Sequence, residues 1–277
     1  MKRRNFIKST ITTGLFAGLY TWQVEPYWLE IVLQKMPIRN LPKNLIGKRL
    51  MQISDIHVGD DFDLNFLVES FAEAKKYKPD FVVYTGDYIS YINAERYKQL
   101  RNVMQLAPLG TKGTYAILGN HDYGDRWSQP KVANKISNLL SAAGITMLRN
   151  EKQQSHGLNF IGIDDLWGTN FKPKKVMKTI DQDAANLVLC HNPDVCDLNV
   201  WYKYKGWILS GHTHGGQCKA PFLTPPILPV KNKNYSAGYV DLKDGRHLYI
   251  NRALGHSMQV RFNVRPEITI FELSQAV

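Results

Sequence analysis

Cysteine is scarce in this 277-residue chain: only Cys190, Cys196 and Cys218 occur. An odd number this small excludes a disulfide framework, and with no C-x-x-C pair a cysteine-based zinc site is excluded too. Acidic residues are the minority charge, 24 against 35 Lys and Arg, which leaves a formal net charge of +11. That balance either attracts anionic partners or serves only to keep the chain soluble. A basic-aromatic stripe is missing, which argues against nucleic acid as the partner. Internal repeats and Pro- or Gly-rich linkers are also missing. With 44% apolar and 21% charged residues, the composition excludes disorder and a polytopic membrane protein and suits a globular body with a sizeable core.

Long apolar runs are absent as well. The uncharged stretch Ser9 to Val24 has 16 residues, about 24 Å as a helix, a marginal span for a hydrocarbon core of about 30 Å. It follows M-K-R-R-N-F-I-K, a basic start typical of a targeting segment rather than of a fold. The pair Arg3-Arg4 with Phe6-Ile7-Lys8 resembles the twin-arginine export signal of bacteria. No clear A-x-A site precedes Glu25, so the segment is either cleaved or kept as an N-terminal tether. Residues 1–30 are therefore expected to be a signal or anchor, with one domain over 45–277. The expected location is the periplasm, the cell envelope or a membrane surface. Residues 1–30 hold four basic and two acidic residues, so the body alone keeps +9.

From Arg49 the chain alternates short apolar runs with helical periodicity. Strands are expected over 49–54, 81–85, 114–118, 159–163, 186–190, 207–210, 247–251 and 267–273. Helices are expected over 64–77, 94–105 and 131–143, the last stopping at Gly144. The first half reads β-α-β-α-β-α, which implies parallel strands joined by helical crossovers. The second half is richer in strands. A mixed sheet, or two sheets packed face to face and flanked by helices, accommodates both halves.

Polar residues close successive strands. Asp55-Ile56-His57, Gly86-Asp87, Gly119-Asn120-His121-Asp122, His191-Asn192 and Gly211-His212-Thr213-His214 follow one another in order. Asp55 and Asp87 are 32 residues apart and Asp87 and Asn120 are 33 apart, one crossover each. Parallel strands then deliver these groups to one carboxyl edge, where α/β sheets bind ligands. On an extended chain, residues i and i+2 share a face, so Asp55 with His57 and His212 with His214 can each aim two donors at one point. Asp, His and Asn without thiolate suit divalent Mn, Fe, Zn or Ni. Seven candidate ligands (Asp55, His57, Asp87, Asn120, His191, His212 and His214) exceed one ion's needs and suit two ions, about 3.5–4 Å apart, sharing a carboxylate.

The ordered set D-x-H, G-D, G-N-H-D, H, G-H-x-H resembles the calcineurin-like metallophosphoesterases over Leu50 to Leu273. The segment Gly211–Gln217, with Arg261-Phe262 and Arg265-Pro266-Glu267, resembles the small bacterial branch of exported or membrane-associated phosphodiesterases, a branch similar to the UDP-diacylglucosamine pyrophosphatases and to bacterial enzymes with twin-arginine signals. The resemblance implies an α/β fold, a four-layer α-β-β-α sandwich of two mixed sheets flanked by helices. It implies a first divalent ion on Asp55, His57 and His214, a second on Asn120, His191 and His212, and Asp87 as the bridge. It further implies a metal-bridging hydroxide as nucleophile, with His121 donating to the phosphate or protonating the leaving group. Asp122 either orients a histidine or completes the turn. The implied reaction is hydrolysis of a phosphodiester or pyrophosphate, with a lipid-linked or envelope phosphoester as substrate. The alternatives are a phosphomonoesterase with the same centre and a non-catalytic binding protein on this fold. The Pro-rich stretch 219–234 is either a lid or apolar contact beside the site, or a stiff packed loop. Arg252 and Arg261 either reach a substrate phosphate or, the favoured reading, stand at the surface.

Overall fold

A computed structural model describes residues 3–59, 63–90, 92–256 and 258–276; Met1 and Lys2 of the signal-type segment lie outside it. Two six-stranded sheets form the centre. The first runs β1 (Glu30–Ile38), β12 (Glu267–Gln275), β2 (Arg49–Ile53), β3 (Phe81–Thr85), β4 (Gly113–Ile117) and β5 (Thr146–Met147). The second runs β10 (Gly238–Asp241), β11 (Arg246–Ile250), β9 (Gly206–Ser210), β8 (Ala185–Cys190), β7 (Leu158–Ile163) and β6 (Glu151–Ser155). Both are mixed. Strands β2 to β5 are mutually parallel, while β12 runs antiparallel to β2 and parallel to β1. Strands β7, β8, β9 and β11 are parallel, with antiparallel β6 and β10 at the edges.

Side-chain alternation along the strands assigns the layers. In β3, Phe81 and Val83 enter the core between the sheets, whereas Val82 and Tyr84 pack under the helices. In β8, Leu187 and Leu189 face the first sheet, and Val188 and Cys190 face outward. The outer face of the first sheet is covered by α2 (Leu64–Lys75), α3 (Ala94–Met104) and α4 (Pro130–Ala142). Leu67, Phe71 and Ala74 bury one stripe of α2, the spacing a helix needs for a single apolar face. Its first turn is capped by Asp63, which accepts from the Asn65 amide, and α3 is capped by Asn93, which accepts from the Arg96 amide. The second sheet carries the short α5 (Pro173–Met177) and the turns around Val195 and Trp201.

Two expectations change at the N-terminus. The sheet begins before residue 45: β1 pairs with β12 along its whole length, Glu30 opposite Glu267 and Ile38 opposite Gln275. Residues 20–30 are also not a separate object. The buried Glu25 carboxylate accepts the Val264 amide, and the Thr21 carbonyl accepts the Arg261 amide at 2.9 Å. Tyr27 packs edge-on to Phe66 at 5.6 Å. Only α1 (Arg3–Leu19) projects, with Ile11, Leu15, Phe16 and Leu19 exposed. Among the described residues, no helix is long and apolar enough to cross a membrane.

Candidate metal centre

The polar residues meet at one edge of the paired sheets. Asp55 and His57 follow β2, Asp87 follows β3, Asn120 and His121 follow β4, His191 follows β8, and His212 and His214 follow β9. The convergence is not reached through extended backbone. Asp55, His57, Asp87, His212 and His214 all have positive φ, between 46° and 71°. Such conformations cost about 1 kcal/mol or more each in non-glycine residues, and they gather at functional sites. The adjoining glycines are obligatory for space: a Cβ on Gly119 would lie 2.2 Å from Asp87 Oδ1, and one on Gly211 would lie 2.2 Å from Asp55 Oδ2.

Two triads result, Asp55 with His57 and His214, and Asp87 with His191 and His212, all buried. The carboxylate of Asp87 stands between them, with Oδ2 3.3 Å from His191 Nε2 and 3.6 Å from His57 Nε2. Asp55 Oδ1 is 3.3 Å from His214 Nε2 and 4.0 Å from His191 Nε2. His57 and His214 point their Nε2 atoms at each other across 3.0 Å. Ring nitrogens and carboxylate oxygens crowded in this way are held together by shared protons or by cations.

Outer partners set each imidazole. His191 Nδ1 donates to the Thr85 carbonyl at 2.7 Å, which turns Nε2 toward the triad. His212 Nε2 donates to the Pro229 carbonyl at 3.0 Å, which turns Nδ1 inward. His57 Nδ1 meets Ser90 Oγ at 3.1 Å. Asp55 takes the Ser54 hydroxyl and the His212 amide. Asn120 Oδ1 and His214 Nδ1 are buried with no hydrogen-bond partner among the described residues. An orphaned amide oxygen beside two His/Asp triads is what a divalent ion in this position would satisfy, so the residues fit the ions expected from the sequence.

The electrostatics agree. Burial, then the neighbouring His214, holds His57 well below the usual imidazole range. Burial brings His212 down to about 3. Both imidazoles are thus neutral, the form that donates a lone pair. Burial pushes the Asp87 carboxyl up, but the facing His191 outweighs it and holds the carboxyl well below its usual range. Burial lowers His191, but the Asp87 and Asp55 carboxylates more than offset it and raise His191 well above the usual imidazole range, a positive charge where a cation would stand.

His121 is half-buried at the rim, its ring 5.0 Å from that of His57, and its amide donates to Asp87 Oδ1 at 2.9 Å. Asp122 turns away from the histidines: its carboxylate accepts from the amides of Asp87, Tyr88 and Gly119 at 2.8–2.9 Å. It therefore ties the Asp87 turn to the Asn120 turn. The stretch 219–234 resolves into a cleft wall, since Pro226, Ile227 and Pro229 line the site. Arg261 is the opposite of a surface residue. It is fully buried, and its guanidinium donates to the carbonyls of Arg252, Ala253, Gly255 and Val264. Those carbonyls compensate the buried charge, and the turn they brace donates the Gly255 amide to the Asp55 carbonyl at 2.8 Å. Arg252 is held by Glu267 and Glu30. Neither arginine lines the cleft.

The cleft has a volume of about 540 Å³. Besides His57, Asp87, Asn120, His121, His212 and His214, the side chains of Trp127, Trp167, Cys218, Met258 and Val260 line it. Sequence reasoning missed the two tryptophans because no metal-ligand spacing involves them.

The model of the calcineurin-like phosphoesterase family matches residues 48–216. Phosphodiesterase YaeI of Escherichia coli is 30% identical over 282 residues, 99% of each chain. The uncharacterized metallophosphoesterase YkuE of Bacillus subtilis is 31% identical over 292 residues, 99% of this chain and 98% of its own. UDP-2,3-diacylglucosamine pyrophosphatase LpxG of Chlamydia trachomatis is 26% identical over 324 residues, 95% of this chain and 96% of its own.

Proposed function

The chain belongs to the calcineurin-like phosphoesterase family, a hydrolase of phosphoric esters, and from that premise we propose a two-metal enzyme acting on phosphodiester or pyrophosphate bonds. One observation carries the reading: the Asp87 carboxylate stands 3.3 Å from His191 and 3.6 Å from His57, between the two triads. In this reading Asp55, His57 and His214 hold one divalent ion, Asn120, His191 and His212 hold the other, and Asp87 is shared. When bound, such ions supply positive charge to the phosphoryl oxygens and make water nucleophilic near neutral pH. The protein's own part is orientation. Thr85 and Pro229 fix the tautomers of His191 and His212, and Asp122 fixes the Asp87 turn. His121, at the rim, gives its proton to the leaving-group oxygen.

A lipid-linked phosphoester is the substrate class we favour. The pyrophosphatase relative supports it, as do the exposed apolar Ile227 and Met258 that line the cleft and the exposed Phe222 and Leu223 of the same stretch as Ile227. We also propose export by the twin-arginine route, supported by Arg3-Arg4 and the exposed helix α1. Export should stop when both arginines become Lys, because the receptor reads the guanidinium; undiminished export of that variant defeats the route.

The reaction is tested with purified protein and Mn(II) on bis-p-nitrophenyl phosphate against p-nitrophenyl phosphate. Faster turnover of the diester is expected, with loss on chelation. Preference for the monoester replaces the reading with a phosphomonoesterase, and no turnover with Mn, Fe, Zn or Ni removes the catalytic claim.

A further inference from the structure

The cleft carries an aromatic feature that phosphoryl chemistry does not need. Trp127 and Trp167 stack at 4.5 Å with their planes 24° apart, and Trp167 meets His212 edge-to-face at 4.6 Å. The three rings form a column leading outward from a metal-site histidine to Trp127, which is 37% exposed. Both tryptophans line the cleft.

This column is held in place. Asp165 accepts the amides of Trp167 and Gly168, which builds the turn that presents Trp167. Trp127 and its neighbour Arg126 both have left-handed backbone, with φ of 55° and 47°. The Trp127 amide donates to Gly124 and the Gln129 amide to Tyr123, which locks that turn. A large aromatic residue at positive φ, part-exposed, is unfavourable for the fold alone. Nothing in the phosphoesterase role assigned to His121 or the triads uses it.

We propose that the Trp127–Trp167 column is a ring-binding subsite, which stacks a planar aromatic substituent carried by one ester arm of the substrate. The inference rests on the phosphodiesterase reading and deepens it. Trp127, part-exposed, lining the cleft and stacked on Trp167, can take a flat ring by offset stacking. A nucleobase and a simple aryl group share that chemistry. Stacking is tolerant of ring identity, because every such ring has a π-face.

The test uses diesters with a common p-nitrophenolate leaving group and three different second arms: thymidin-5′-yl, phenyl and methyl. Full-length protein with Mn(II) should show KM lower by about 5–100-fold for ring-bearing arms than for methyl, the range of base–aromatic stacking. Trp127→Leu should collapse that ratio toward one, and Trp127→Phe should restore most of it. A lead for the thymidine arm over phenyl identifies a nucleobase; equal gains identify any planar ring. Equal KM for all three arms in the unmodified protein, or a ratio unchanged in Trp127→Leu, overturns the subsite. A second readout needs no turnover, so it separates this inference from the reaction itself. Titration with thymidine 5′-phosphate or phenyl phosphate should quench tryptophan emission, and Trp127→Phe should lose that quench; no quench in the unmodified protein overturns the proposal.

Discussion

The Asp122 carboxylate accepts the backbone amide of Asp87 at 2.9 Å, across 35 residues of chain. The same carboxylate takes the Gly119 and Tyr88 amides, so one buried side chain holds two ligand-bearing turns together. Asp122→Ala orphans three buried N–H groups. A loss of about 1–3 kcal/mol or more follows from leaving buried donors unpaired, with weaker metal binding. Thermal melting and calorimetric Mn(II) titration check this; an unchanged melt with unchanged affinity refutes the bracing role.

Asp87→Asn removes the carboxylate shared by the two triads. Turnover should vanish and metal content should fall below two ions per chain, as measured by atomic emission. Two ions per chain with a near-normal rate would sink the bridging assignment.

His121→Ala should behave differently, because His121 stands at the rim rather than in a triad. Metal content should be retained while the rate drops by about 10²–10⁴-fold, the usual contribution of a positioned acid. Esters with good leaving groups should lose least. Loss of metal in this variant would move His121 into the ligand set.

The three thiols should separate by environment. Burial pushes the thiols of Cys190 and Cys196 up, which suppresses the reactive thiolate. Burial raises the Cys218 thiol as well, but Cys218 is only half-buried and lines the cleft, so access rather than acidity sets it apart. A maleimide should label one thiol per native chain and slow turnover, and Cys218→Ser should be immune. Equal labelling of all three thiols, or full activity after labelling, contradicts this.

Truncations locate where the body begins. Deleting residues 1–19 removes only the projecting helix and should leave the melting temperature unchanged. Deleting residues 1–30 also removes the Glu25 carboxylate under Val264, the Glu30 partner of Arg252, and the Trp28 and Leu29 carbonyls that hold Arg265. The melt should fall by about 2–4 °C for each kcal/mol lost. Identical melts for the two truncations would show that residues 20–30 contribute nothing to the body.

Much of the fold was legible because its signals are local. The run Phe81–Thr85 is β-branched and aromatic and forms β3 over those residues. The helix expected over 64–77 forms as Leu64–Lys75, because its buried positions recur at helical spacing. The shortest elements carry too little periodicity to read: β5 has two residues, and the exposed strand β6 (E-K-Q-Q-S) has no apolar alternation.

By itself the sequence determined which groups end the strands. A βαβ connectivity sends each strand's carboxyl end to one edge, so order and spacing sufficed to gather Asp55, His57, Asp87, Asn120, His191, His212 and His214. The tertiary structure alone decided how they converge. Left-handed turns at five of them depend on hydrogen bonds from distant segments, such as the His212 amide to Asp55. It alone placed β1 against β12, since parallel pairing between distant segments leaves no turn signature. It also decided the fate of single side chains. Arg261 reads as a surface cation until four carbonyls surround it, and Trp127 and Trp167 carry no signal in the sequence until they stack in the cleft. Local pattern records what a segment prefers; burial, partners and facing charges belong to contacts between segments, and those exist only once the chain has packed.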